Sequence, residues 1–415
     1  MDAKNSFLQV FEKLEGFASR LPNALQKPIL QEVTPLKDLF LRQRAPRLVL
    51  VGDAVASSAG LFNAIFGAPV APFAREDAAD RTPPAAGWQD FSHAGRGVLR
   101  LLDARQGEEI SPATDAALAA EPPDLVLFLT VPGAAGTNHA AAVERLEALL
   151  ERTERAHQIR PCVLGIVLDA SEGGGAADDA SESDRTRLQA ALAARPKIAR
   201  HLGPAQAVRT FMRFRLDGTF DPESDRRRGV TELVDTLVAE LPNAARLEMA
   251  RLSGARSAQA AIAGTLVKSF TAVSGALGAQ PIPLADLPFL LGFQLAMVAG
   301  IIYVSGRDLS LKLATEFLGT MGMNVGLGLV FREGARAAAR AATKLFLPGI
   351  GNAISGLVAA GGTYAIGKAA TAYYIEGVNL AEARELLRRS RRGQGLTQLL
   401  ARRKNPPPPD PHLDA

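Results

Sequence analysis

Cysteine is almost absent from this sequence. Its 415 residues contain one, Cys162, which rules out an internal disulfide framework and a cysteine metal cage. Cys162 lies in the apolar run 161–168 and reads as a buried core thiol. The five histidines (His93, His139, His157, His201, His412) are scattered, with no HExxH or related spacing, so no metal centre is expected. The first twenty residues carry Asp2, Glu12 and Glu15 and lack an uninterrupted apolar core, so no secretory signal is expected. Charged residues are also scarce, at 22% against 47% hydrophobic, and the formal net charge is only +4. Such a small surplus matters only where it is clustered.

The chain is long enough for two or three structural units, each with its own core. Residues 5–21 space Phe7, Val10, Phe11, Leu14, Phe17 and Leu21 as one face of a helix that packs on a neighbour. From 47 to 242, short apolar runs alternate with helical stretches. Strands are expected at 47–51, 98–102, 125–130, 163–168 and 207–214, and helices at 61–66, 140–156, 185–194 and 231–241. This alternation predicts a mostly parallel sheet with helices on both faces. The acidic, Gly-rich stretch 171–184 reads as a solvated loop. Beyond 244 the strands stop and long apolar helices rich in Ala and Gly take over. The expected division is 1–45 as a helical segment, 46–243 as an α/β domain, 244–378 as an apolar helical domain and 379–415 as a basic, proline-rich tail.

The segment RLVLVGDAVASSAGLFNAIFG (47–67) runs from a strand through a small-residue turn into a helix. That is the layout of a phosphate-binding loop, where backbone N–H groups and a helix N-terminus hold phosphates. Laid without gaps on GxxxxGK[ST], Gly52 matches the first glycine, Ser57 the second, Ser58 the lysine and Ala59 the magnesium-binding hydroxyl. Ser58 cannot supply the lysine charge, and Ala59 has no oxygen for magnesium. In VLRLLDARQG (98–107), Asp103 stands at the head of a DxxG remnant with Gln106 in place of its glycine. In VLGIVLDA, Asp169 stands at the end of an NKxD remnant whose Asn and Lys are missing. Thr82 is the candidate γ-phosphate and magnesium contact in the intervening loop.

LFNAIFG resembles the LINALFG of Era-like bacterial GTPases. LEMARLSGA (247–255), with 281–311 and 347–374, resembles the YcjF-type domain of unknown function found behind such GTPases. The resemblance implies a P-loop GTPase-like α/β domain joined to an all-α, apolar, membrane-associated helical domain. It also implies residence at the bacterial inner membrane, with the GTPase-like domain facing the cytoplasm, and GTP or GDP with magnesium as ligands if binding survives. Uncharged stretches at 346–367 and 289–306, and a weaker one at 260–278 interrupted by Lys268, are candidate membrane segments. Asp286 is expected to cap the helix that begins near Leu287.

A basic cluster follows the last apolar stretch: Arg384, Arg388, Arg389, Arg391, Arg392, Arg402, Arg403 and Lys404. It places that end in the cytoplasm and suits anionic lipid. It has no interleaved aromatics, so nucleic acid is not expected as a partner. The leading expectation is a pseudo-GTPase scaffold with a membrane and a protein partner or a second copy, and no small-molecule substrate other than GTP. The alternatives are an active GTP-binding protein coupled to membrane rearrangement, and a soluble structural helical protein.

Overall fold

The structure is a computed structural model. It describes residues 42–69, 87–93, 96–106, 109–134, 140–172, 176–215, 219–278, 287–322 and 350–392, with single positions between 12 and 40. The N-terminal amphipathic pattern lies mostly outside the described residues; Thr82 and Asp286 lie entirely outside them. The chain divides into two compact units, Arg42–Ala258 and Met1–Leu41 with Gln259–Ala415.

The first unit is built on strands β1 (Arg47–Gly52), β2 (Gln89–His93), β3 (Gly97–Asp103), β4 (Leu125–Thr130), β5 (Cys162–Asp169) and β6 (Gln206–Arg209). They form one sheet in the order β2-β3-β1-β4-β5-β6. Only β2 runs antiparallel to its neighbour; the other pairs are parallel. Helices α1 (Ser58–Phe66), α2 (Pro112–Ala120), α3 (Ala140–His157), α4 (Ala176–Ala193), α5 (Pro196–Ala199), α6 (Val230–Glu240) and α7 (Asn243–Ser253) belong to the same unit, with a short 3-10 helix at Pro222–Ser224. β1 and β4 are buried at nearly every position, as strands covered on both faces must be. Val49, Val51, Val126, Phe128, Val163 and Val167 meet Leu146, Leu149, Leu188 and Leu192 in a continuous core. This is the expected α/β layout, a mostly parallel sheet packed against helices.

Several local expectations change. The stretch 171–184 is not a loop throughout, because α4 starts at Ala176. Ser181, Asp184, Leu188 and Leu192 are buried at helical spacing, and the Asp184 carboxylate accepts from the Gly133 amide at 2.7 Å. Polar anchors therefore hide the first half of the helix from a hydrophobicity reading. β2 was not expected: of QDFSH only Phe91 is buried, and backbone pairing with β3 holds the strand. α2 was also missed, although Ser111 caps it, accepting from the Thr114 amide at 3.1 Å, with proline in the first turn. β6 ends at Arg209 rather than Phe214, where the chain folds back and Arg228 bridges to Arg209. α7 belongs to this unit: Glu248 accepts from the Val98 amide at 3.0 Å and the Ala244 carbonyl from the Arg44 amide at 2.8 Å.

The second unit contains α8 (Arg256–Gly278, joining from the first), α9 (Leu287–Val304), α10 (Leu311–Thr320), α11 (Ile350–Thr371) and α12 (Leu380–Arg392). α9 is apolar all round, and Ala296–Val304 is buried along its whole length, as expected for a central bundle helix. Phe270 stacks on Phe293 at 4.2 Å between ring centres. Close helix approach occurs at Gly367, where an added Cβ would lie 2.5 Å from Val267. At Gly264 an added Cβ would meet open space instead. Among the described residues no helix is long and apolar enough to cross a membrane. The expected spans at 260–278 and 289–306 are helices of this bundle, and much of 346–367 lies outside the described side chains.

Candidate functional site

In an open α/β sheet, ligands bind beyond the carboxyl ends of the strands, where connections leave in opposite directions. Here that point is the end of β1, which lies between β3 and β4. The segment after β1 is the suspected phosphate loop.

Gly52 ends β1 with φ +110°, and a Cβ there would sit 2.1 Å from the Leu129 carbonyl oxygen. Packing against β4 alone thus demands glycine at this position. The Asp53 amide continues the contact, donating to Leu129 O at 2.8 Å, while the Asp53 carboxylate accepts from the Thr130 hydroxyl at 2.8 Å. Val55, at the tip of the loop, is 79% exposed. Ser57 has ordinary extended geometry, φ −70° and ψ 102°, so its Cβ causes no strain. Its hydroxyl caps α1, accepting from the Gly60 amide at 2.9 Å. One of the helix-terminal donors that would face a phosphate is therefore already bonded. Ala59 is buried and has no side-chain oxygen.

The decisive residue is one the motif reading passed over, Arg105. Its guanidinium lies inside the loop and is only 8% exposed. Nη1 donates to the Ala56 carbonyl and, at 3.5 Å, to the Asp53 carbonyl. Nη2 donates to Ser58 Oγ at 3.1 Å and to Asp103 Oδ2 at 2.7 Å, and Nε to Asp103 Oδ1 at 2.9 Å. These bonds engage all five guanidinium donors. A phosphate loop turns amides inward; this one turns two carbonyls inward onto a cation. Asp53 and Asp103 also place two carboxylates beside the loop, where a phosphate would meet like charge. The signal in the sequence was the Asp-x-Arg of DARQG, in which an arginine two residues after an aspartate can fold back onto it.

Asp169 is committed elsewhere. Oδ2 accepts from Arg209 Nε and Nη2, both at 2.9 Å, and Oδ1 from the Ser171 amide at 2.8 Å. Burial raises this carboxyl, but the Ser171 bonds and the Arg209 ion pair outweigh it and hold it below the usual range. Thus Gly52, Ser57, Ser58, Ala59 and Asp103 gather around the loop, whereas Asp169 is held by β6. The adjoining Thr210 reaches back toward α1: an added Cβ at Gly60 would lie 3.4 Å from its hydroxyl. Among the described residues no group of three or more His, Cys, Asp or Glu is placed to hold a metal ion.

No family model matches the chain, and no curated protein matches it. Among solved structures, a dimerization-deficient mutant of Toc33 from Arabidopsis thaliana is similar over 56% of this chain and 94% of its own length. The identity is 10% and the TM-score 0.29. The α/β assignment stands on the strand order of the sheet itself.

Proposed function

We propose that this chain is a pseudo-GTPase scaffold, an Era-type nucleotide domain that works without nucleotide, carried with a YcjF-type helical unit. The observation that supports this most directly is Arg105, whose guanidinium fills the phosphate loop and uses its carbonyls. A nucleotide would have to displace charge-assisted hydrogen bonds contributing roughly 1.5–3 kcal/mol each. It would do so without a loop lysine or a hydroxyl at Ala59 to replace them. The partner is a protein or a second copy. Contact with the inner membrane is proposed at the surface, through the basic face of α12.

The test is thermal unfolding and calorimetric titration of the full chain with GTP or GDP and magnesium. A ligand with micromolar affinity, supplied at about 1 mM, would stabilise the fold by roughly 4 kcal/mol. The expected outcome is an unchanged midpoint and no binding heat. A saturable rise in midpoint would overturn the proposal and make the chain a GTP-binding protein.

A further inference from the structure

The plug has a support of its own. Arg145, on α3, is only 7% exposed. Its Nη1 donates to the Arg105 carbonyl at 2.8 Å and to the Ala104 carbonyl at 3.4 Å. Burial lowers its pKa, so this cation is held at a desolvation cost that the carbonyl bonds must offset. It is one of the buried residues of α3, with Leu146 and Leu149, at a position where an aliphatic side chain would carry no such cost. Ala104, on the other side of the same backbone, donates to the Leu50 carbonyl of β1 at 2.9 Å. The exit of β3 is thus clamped between β1 and α3, and Arg105 leaves it aimed at the loop.

We infer that Arg145 is a positioning residue for Arg105, and that the two arginines form an internal latch joining α3, the exit of β3 and the phosphate loop. The inference rests on the pseudo-GTPase reading and adds to it the means by which the loop is kept closed. Arg145 fixes two backbone carbonyls, which set the direction of the Arg105 side chain. Arg105 in turn ties the carbonyls of Asp53 and Ala56 and the Ser58 hydroxyl to Asp103. A chain of cation-to-carbonyl bonds orders the loop without a ligand.

Hydrogen exchange on the full-length protein tests this, read at the amides of 53–61, 98–106 and 140–157. Arg145→Met keeps the length and apolar stem of the side chain but removes its donors. Exchange at 53–61 is expected to rise at least about tenfold, as it does in Arg105→Met. The double variant is expected to add little to either single one, since the residues act in series. Arg145→Lys, which can still donate to a carbonyl, is expected to restore part of the protection. If Arg145→Met fails to fold, the same comparison is made with Arg145→Lys, where exchange at 53–61 rises by a smaller factor. Faster exchange confined to 140–157, with 53–61 unchanged, would overturn the latch and leave Arg145 as a packing residue of α3. Silence toward GTP in the wild type combined with that result would sink the latch alone. Binding of GTP by the wild type would instead sink the scaffold reading.

Discussion

Gly52 shows how one residue type can serve two purposes. A glycine at the end of β1 matches the first position of a phosphate loop, and the motif reading used it that way. The geometry gives it another purpose. Its φ of +110° and the approach of the Leu129 carbonyl exclude any side chain, whether or not a nucleotide binds. Gly52→Ala is therefore expected to destabilise the first unit by about 3 kcal/mol, combining backbone strain with overpacking against backbone that cannot move aside. Urea unfolding followed by circular dichroism measures it. A variant as stable as the parent would mean that β1 and β4 are less closely apposed here, and that the glycine serves the loop only. Ser57 teaches the opposite lesson: it stands where the motif has its second glycine, yet it is an ordinary helix cap in extended geometry. The sequence revealed the positions of the loop but not its polarity. Arg105 and Arg145 act through the direction of carbonyls and the path of the backbone, which residue spacing does not encode.

Elements were legible where hydrophobic burial holds them and illegible where hydrogen bonds do. The strands Arg47–Gly52, Leu125–Thr130 and Cys162–Asp169 are continuous apolar runs and were read almost to their ends. β2 and α2 bury few apolar side chains, and in the first half of α4 Ser181 and Asp184 are buried in their place, so the period they leave in the sequence is faint. The helical unit repeats the point in its own core. Gln294 on α9 donates to Thr363 on α11 at 3.1 Å, and Thr363 donates to Ser274 on α8 at 3.0 Å, all three being buried. This polar chain ties three helices in one register inside an otherwise apolar bundle. Thr363→Val preserves shape and removes the link, leaving the Gln294 amide and the Ser274 hydroxyl without that partner. The expected cost is roughly 1–3 kcal/mol, read as a lowered unfolding midpoint. A change under about 0.5 kcal/mol, within the range of ordinary surface substitutions, would show that the bundle repacks and that the chain does not set its register.

At the scale of the whole molecule, average hydropathy and charge had to be divided between the two units before they carried meaning. The apolar stretch at 289–306 matches a membrane segment in composition, but residues 296–304 of α9 are enclosed by protein, and burial in a bundle requires the same composition. The basic surplus gathers at the end of the chain. Arg384, Arg388 and Arg389 are exposed on α12, and Arg391, Arg392, Arg402, Arg403 and Lys404 follow in sequence. Glu385 pairs with Arg388 at 3.9 Å and Arg389 at 2.9 Å, yet such exposed pairs contribute little and exchange readily for another anion. Each cation near an anionic bilayer contributes about 1 kcal/mol, and this attraction falls off within a Debye length. The full chain is therefore expected to sediment with vesicles containing anionic phospholipid and not with neutral ones. Most of it is expected to be released when salt rises from about 0.1 M to about 1 M, as the screening length contracts from about 10 Å to about 3 Å. Arg388→Glu with Arg389→Glu is expected to weaken binding at least about tenfold, since each reversal turns an attraction into a repulsion. Equal binding to neutral vesicles, or binding that survives high salt, would mean that apolar insertion rather than surface charge makes the contact.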